Sequence, residues 1–253
     1  MSTPNHWIRS PPRASGRIKL FCFAHAGGGA GFFHPWVRAL APDIEVHRIV
    51  LPGRESRRHE PAISSMSELV PLVASALQAH ATGPYALFGH SMGAAIAYEV
   101  ARWMSTADRT PPVHLFVSGR RAPHLPARRD PFHLLPDPDL LRLIQQLNGT
   151  PSEVFESRDL MSEFLPCLRA DFKLNETYQP VPGVPLHCGV TGLAGDGDPE
   201  VDFDELFAWG ELTTGPFESR LFEGDHFYLN TRQEQLLSEL SRRLVRATDL
   251  FLR

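Results

Sequence analysis

Short apolar runs alternate with stretches of helical period along most of this 253-residue chain. The runs Ile18–Ala24 (IKLFCFA), Ile44–Gly53, Tyr85–His90, Val113–Gly119, Pro185–Gly195 and Phe217–Gly224 have the length of strands, and glycine or proline ends most of them. Helical patterns fall between them. One begins at Ser64 or Ser65 as N-cap with Glu68 in its first turn, one covers Gly93–Met104 directly after the third run, and one closes the chain from about Arg232 to Leu252. This order predicts an α/β fold with a mainly parallel sheet flanked by crossover helices.

One region breaks the alternation. From about Arg121 to Pro182 there is no convincing strand, only amphipathic stretches such as DPDLLRLIQQL and RDLMSEFLPCLRADFKLNETY, punctuated by Pro136, Pro138, Pro151 and Pro166. This is longer than an ordinary crossover. It reads as a helical lid inserted at about 121–182 into a single domain covering 1–253; a long irregular crossover is the alternative.

Composition narrows the function. With 42% hydrophobic and 21% charged residues the chain can bury a large core, and a formal net charge of −4 gives no reason to expect a nucleic-acid partner. Cys22, Cys167 and Cys188 have neither C-x-x-C spacing nor an even number, so no disulfide framework or zinc site is expected. The polar, Pro-rich start lacks the apolar core of a secretion signal, and no run approaches a membrane span. A cytoplasmic protein without a membrane partner is the expectation.

The chemistry gathers around FGHSMG, residues 88–93. Gly89-His90-Ser91-Met92-Gly93 fits Gly-x-Ser-x-Gly, a weak signal alone because glycine makes up about 7% of an average chain. Its context strengthens it: a strand delivers Ser91, a helix leaves at once, and Gly89, Gly93, Ala94 and Ala95 leave room for a sharp turn. Ser91 is therefore the candidate nucleophile, and serving only as a helix cap is the bland alternative. The triad order on such a sheet is Ser, acid, His. Of twelve histidines, seven precede or adjoin Ser91, His114 and His187 fall inside predicted strands, and His124 and His133 fall in the insertion. His226, in EGDHFYL after the last strand, remains as the base. The turn GLAGDGDPEV offers Asp198 and Asp196; Asp198 is preferred because Pro199 holds its backbone extended, which leaves Asp196 to shape the turn. The Gly-rich AHAGGGAG after the first strand is placed to complete an oxyanion hole, with Ala26 and Met92 as amide donors. It has neither the Lys-Ser/Thr of a P-loop nor G-x-G-x-x-G spacing.

Taken together, LFCFAHAGGGAGFF, LPGRE, FGHSMGAAIAYEVA, GDGDP and GDHFYL resemble the type II thioesterases that accompany polyketide and nonribosomal peptide synthetases. The family's usual Phe-Pro-His-Ala-Gly-Gly here has Ala24 in place of the proline. The resemblance implies an α/β-hydrolase fold, a Ser91–His226–Asp198 triad, and oxyanion amides at Ala26 and Met92. It also implies hydrolysis of acyl thioesters on the phosphopantetheine arm of acyl or peptidyl carrier proteins, clearing stalled groups, with no metal or organic cofactor; a monomer is a separate expectation. Carrier proteins are acidic, so Arg54, Arg57, Arg58, Arg120, Arg121, Arg128 and Arg129 are candidates for a basic docking rim; solvated arginines, or an Arg54–Glu55 pair, are the alternatives. A carboxylesterase, a medium-chain fatty acyl thioesterase and a non-catalytic binding protein on the same fold are the competing functions.

Overall fold

The computed structural model describes residues 6–12, 16–106, 108–128, 130–146 and 158–251. Seven strands form one sheet in the order β1-β3-β2-β4-β5-β6-β7. They are β1 (Ile8–Arg9), β2 (Ile18–Phe23), β3 (Ile44–Ile49), β4 (Tyr85–His90), β5 (His114–Ser118), β6 (Gly189–Gly195) and β7 (Phe217–Phe222). All neighbours pair in parallel except β1, which runs antiparallel to β3 through Ile8↔Ile49. The central strands β2 and β4 are apolar along nearly their whole length and buried on both faces, as the continuous apolar runs require.

Helices α1 (His34–Ala39), α2 (Met66–Gln78), α3 (Met92–Met104), α4 (Asp137–Gln146), α5 (Arg158–Thr177), α6 (Phe203–Phe207), α7 (Tyr228–Thr231) and α8 (Gln233–Phe251) complete the chain. Their packing divides the core in two. On one side α2 and α3 cover the sheet with Leu69, Val73, Leu77, Ile96 and Val100; on the other, Trp36, Leu236, Leu240 and Leu244 meet Leu20, Phe88 and Phe116. Helix α3 is buried around most of its girth, which its small residues Gly93, Ala94, Ala95, Ala97 and Ala101 permit.

The segment between β5 and β6 contains helices and turns and no strand among its described residues. Leu140 and Ile144 of α4 and Leu168 and Phe172 of α5 form a separate small apolar cluster, and Ala26 packs against it. This stretch thus lies over the loop that leaves β2.

Several elements differ from the sequence pattern. Strand β6 starts at Gly189, so His187 lies outside it; before that, Leu186 makes only an isolated bridge to Thr213. Strand β1 and the short helices α1, α6 and α7 were not anticipated. Two residues of strand or four of helix carry too little periodicity to register.

Candidate active site

The sheet's order reverses between β2 and β4, and in open α/β sheets ligands bind beyond the carboxyl ends of strands at such a point. The register brings the sequence candidates to that edge. Phe23 pairs with Gly89, His90 with Ser118, and Gly195 with Phe222, so the loops beginning at residues 24, 91, 119, 196 and 223 emerge side by side.

Ser91 occupies the turn between β4 and α3 at φ 55°, ψ −117°, a conformation that side-chain-bearing residues rarely adopt. Its N–H donates to Ser118 O at 2.8 Å and its C=O accepts from Ala94 N–H at 3.0 Å, which fixes both ends of the turn. The flanking glycines are obligatory. A Cβ on Gly89 would lie 2.1 Å from Gly93 O, and one on Gly93 would lie 2.2 Å from Phe23 O. The Ser91 hydroxyl makes no hydrogen bond among the described residues, and Ser91 is half-buried.

His226 and Asp198 are joined directly. His226 Nδ1 lies 3.0 Å from Asp198 Oδ1 and 2.9 Å from Oδ2, and both residues are buried. Asp198 Oδ1 also accepts Glu200 N–H at 2.8 Å, which sets the carboxylate's orientation. Asp196 turns elsewhere and accepts Gly224 N–H at 3.0 Å, while Asp225 accepts Phe227 N–H at 2.8 Å. The His226 ring lies 4.9 Å from the His90 ring, centroid to centroid. A Cβ on Gly119 would meet His90 Cε1 at 2.6 Å and His226 Cε1 at 3.2 Å. His226 is thereby held over β5 beside the residue that precedes Ser91.

His90 is a packing residue. It is fully buried, and its Nδ1 lies 3.0 Å from Ser118 Oγ, which in turn lies 2.7 Å from the Tyr228 hydroxyl. Burial, with the nearby His226 and His25 adding to it, pushes its pKa well down. Burial does the same to His25, to about 3, with His226 and Arg54 contributing.

The two amide donors expected from the sequence are uncommitted. Met92 opens α3, where a first N–H has no intrahelical acceptor. Ala26 N–H donates to nothing among the described residues, although Gly27 N–H donates to Asp171 Oδ2 and Gly28 N–H to His25 O.

Most of the described arginines are committed to partners within the chain. Arg54 pairs with Asp171 at 2.6 Å; burial opposes its charge, but that carboxylate more than offsets the penalty and raises its pKa. Arg57 is buried, forked onto Glu60 and stacked over Trp7. Arg120 bonds Asn175, and Arg121 and Arg128 both pair with Glu205. Arg58 is exposed, and Arg129 lies outside the described residues. Arg54 and Glu55 do not pair with each other; Glu55 instead accepts Gly31 N–H at 2.7 Å. Asp171 and the paired role of Arg54 were invisible in the sequence, where 117 residues separate them.

A cavity of about 450 Å³ opens at the opposite edge of the sheet, between Val113, His114, Cys188, Gly189 and Arg243, far from Ser91. It belongs to the amino ends of β5 and β6 and takes no part in the constellation above.

Residues 18–244 match the family model of the thioesterase domain. The chain belongs to the thioesterase family. It is 39% identical to Thioesterase PikA5 of Streptomyces venezuelae over 94% of this chain and 85% of that one. It is 40% identical to the protein named Linear gramicidin dehydrogenase LgrE of Brevibacillus parabrevis, over 93% of this chain and 91% of the relative. Among solved structures, the type II thioesterase BorB from the borrelidin biosynthetic cluster superposes with a TM-score of 0.87 at 39% identity, covering 94% of this chain and 97% of that one. The α/β-hydrolase fold expected from the motifs is thus the fold of this thioesterase. As a member of the family it hydrolyses thioesters. No helix among its described residues is long and apolar enough to cross a membrane.

Proposed function

We propose that this thioesterase removes acyl groups from the phosphopantetheine arm of carrier proteins in a polyketide or nonribosomal peptide synthetase, through an acyl-enzyme on Ser91. The observation that carries the reading is the buried Asp198–His226 pair set beside a strained Ser91 turn, in a chain whose likeness to BorB runs nearly end to end.

The steps follow from the side chains. His226 Nε2 takes the Ser91 Oγ proton as Oγ attacks the thioester carbonyl carbon, and Asp198 holds the ring through Nδ1–H and balances the imidazolium charge. The N–H groups of Ala26 and Met92 receive the carbonyl oxygen as it becomes an oxyanion; losing one such donor costs about 10²–10³ in rate. The C–S bond then breaks. The departing sulfur takes that proton from His226 and leaves as a thiol of ordinary pKa near 8.5, which returns the imidazole to its neutral form. Water, deprotonated by His226, attacks the acyl ester, and the carboxylate departs with Ser91 restored.

The described part of 121–182 acts in this reading as a lid within one domain, with α5 lying over the loop after β2; residues 129 and 147–157 of that stretch lie outside the described residues. The word dehydrogenase in one relative's name finds no counterpart in these residues, since the Gly-rich loop at 25–33 lacks the spacing that seats a dinucleotide.

The test presents acyl groups of graded length on a carrier protein, on N-acetylcysteamine and as oxygen esters, with Ser91→Ala alongside. Faster turnover of carrier-borne thioesters supports the proposal. Preference for oxygen esters, or full activity in Ser91→Ala, overturns it.

A further inference from the structure

The loop after β2 is gripped by two charged side chains for which the reaction itself has no use. Asp171, 1% exposed on α5, accepts Gly27 N–H at Oδ2, 2.8 Å away. Arg54, in the turn after β3, donates from Nη1 to Gly28 O at 2.9 Å and to Asp171 Oδ2 at 2.8 Å. Its Nη2 donates to Asp171 Oδ1 at 2.6 Å. Two distant segments therefore converge on two consecutive glycines. Gly27 holds φ +75°, and a Cβ there would lie 2.9 Å from both Phe164 and Leu168, so α5 also walls the turn sterically.

Burying two ions is costly, and apolar residues often stabilise a fold as well or better. A forked guanidinium–carboxylate pair does supply direction, because its bonds are fixed in one plane. In this turn the direction has a clear beneficiary. Gly27 N–H is taken by Asp171 and Gly28 N–H by His25 O, while Arg54 holds Gly28 O. Of the three successive amides at 26–28, only that of Ala26 is left without an acceptor among the described residues.

We infer that Arg54 and Asp171 are positioning residues for the oxyanion hole, holding the 25–28 turn so that the Ala26 amide stays aimed at the reacting carbonyl. The inference rests on the proposed Ser91 chemistry. Neither side chain touches the substrate, and the effect passes through the turn.

The test compares Asp171→Asn, Arg54→Ala and Arg54→Lys with the parent enzyme on one acyl thioester. It also measures the affinity of an acyl trifluoromethyl ketone, which adds to Ser91 and forms a tetrahedral oxyanion. Misplacing one donor should lower kcat by roughly 30- to 300-fold in Asp171→Asn and Arg54→Ala, with KM within about threefold. Arg54→Lys should recover part of the loss, since it keeps the charge and loses the fork. Ketone affinity should fall in step with kcat/KM, while binding of intact thioester in a Ser91→Ala background stays unchanged. Should Asp171→Asn not fold, the two Arg54 variants carry the comparison. Unchanged kcat per folded molecule, or a kcat loss with undiminished ketone affinity, overturns the inference. Full activity of Ser91→Ala overturns the underlying reading instead, so the two failures are distinct.

Discussion

The imidazole of His226 meets the Asp198 carboxylate almost symmetrically, with Nδ1 3.0 Å from one oxygen and 2.9 Å from the other, and no part of the Asp198 side chain reaches solvent. Twenty-eight residues separate the two in sequence, and the β6–β7 pairing closes that distance. A carboxylate so placed fixes the tautomer, leaving the proton on Nδ1 and the lone pair on Nε2. Asp198→Asn keeps the shape and removes that control, so kcat should fall by about 10³–10⁴ with little change in KM. Steady-state hydrolysis by a variant of unchanged circular dichroism checks this; a loss under tenfold would disprove it.

Ser91 is strained, and the strain should be measurable. Holding a serine at φ 55° and ψ −117° costs of order 1–3 kcal/mol. Ser91→Gly relieves it and abolishes hydrolysis at once. In a chain of this size about 1 kcal/mol corresponds to roughly 2–4 °C, so the melting temperature should rise by at least that much. Calorimetry of the variant against Ser91→Ala, which keeps the strain, isolates the backbone effect.

Gly93→Ala should do the reverse. The new methyl would stand 2.2 Å from Phe23 O and 2.6 Å from Ala24 O, and backbone atoms of a central strand have nowhere to go. Overpacking of this kind costs about 3 kcal/mol or more. A melting temperature lowered by roughly 6–12 °C, or loss of soluble protein, is the expected outcome. A variant that melts with the parent would show that helix and strand can separate.

Acid should weaken this protein from about pH 6.5 downward. His25 is held to about 3, His114 to about 4, and His90 well below its ordinary value, in each case chiefly by burial. A folded-state pKa below the unfolded one means the unfolded chain binds the proton first. Stability is therefore whole above about pH 6.5 and is lost as pH falls toward the folded values, at about 1.4 kcal/mol per pH unit per group. Urea titrations at pH 7, 6, 5 and 4.5 should show that slope, and His25→Gln should flatten it. An unchanged slope in the variant would remove His25 from the account.

The elbow was legible in sequence because its physics is local: Gly89 and Gly93 sit within two residues of Ser91, and a missing Cβ is visible in one letter. Asp198 was legible because it follows the apolar strand β6, and His226 because it follows the last strand, at the edge where such sheets place their loops. The arginines were not. Arg54 and Arg120 read as surface charge, and only the fold reveals that one meets a buried carboxylate and the other an asparagine. Likewise β1, two residues paired only with β3, has no signal of its own in a Pro-rich start.

Asp171 lies on α5, inside the 121–182 stretch proposed above as a lid. A chimera that imports this stretch from a donor with no carboxylate at the matching place would gain a new pocket and strand Arg54 as an unmatched buried cation. Such a hybrid would hold its substrate and cut it slowly. Grafts in this scaffold should therefore carry Asp171 with them, so that selectivity and turnover travel as one unit.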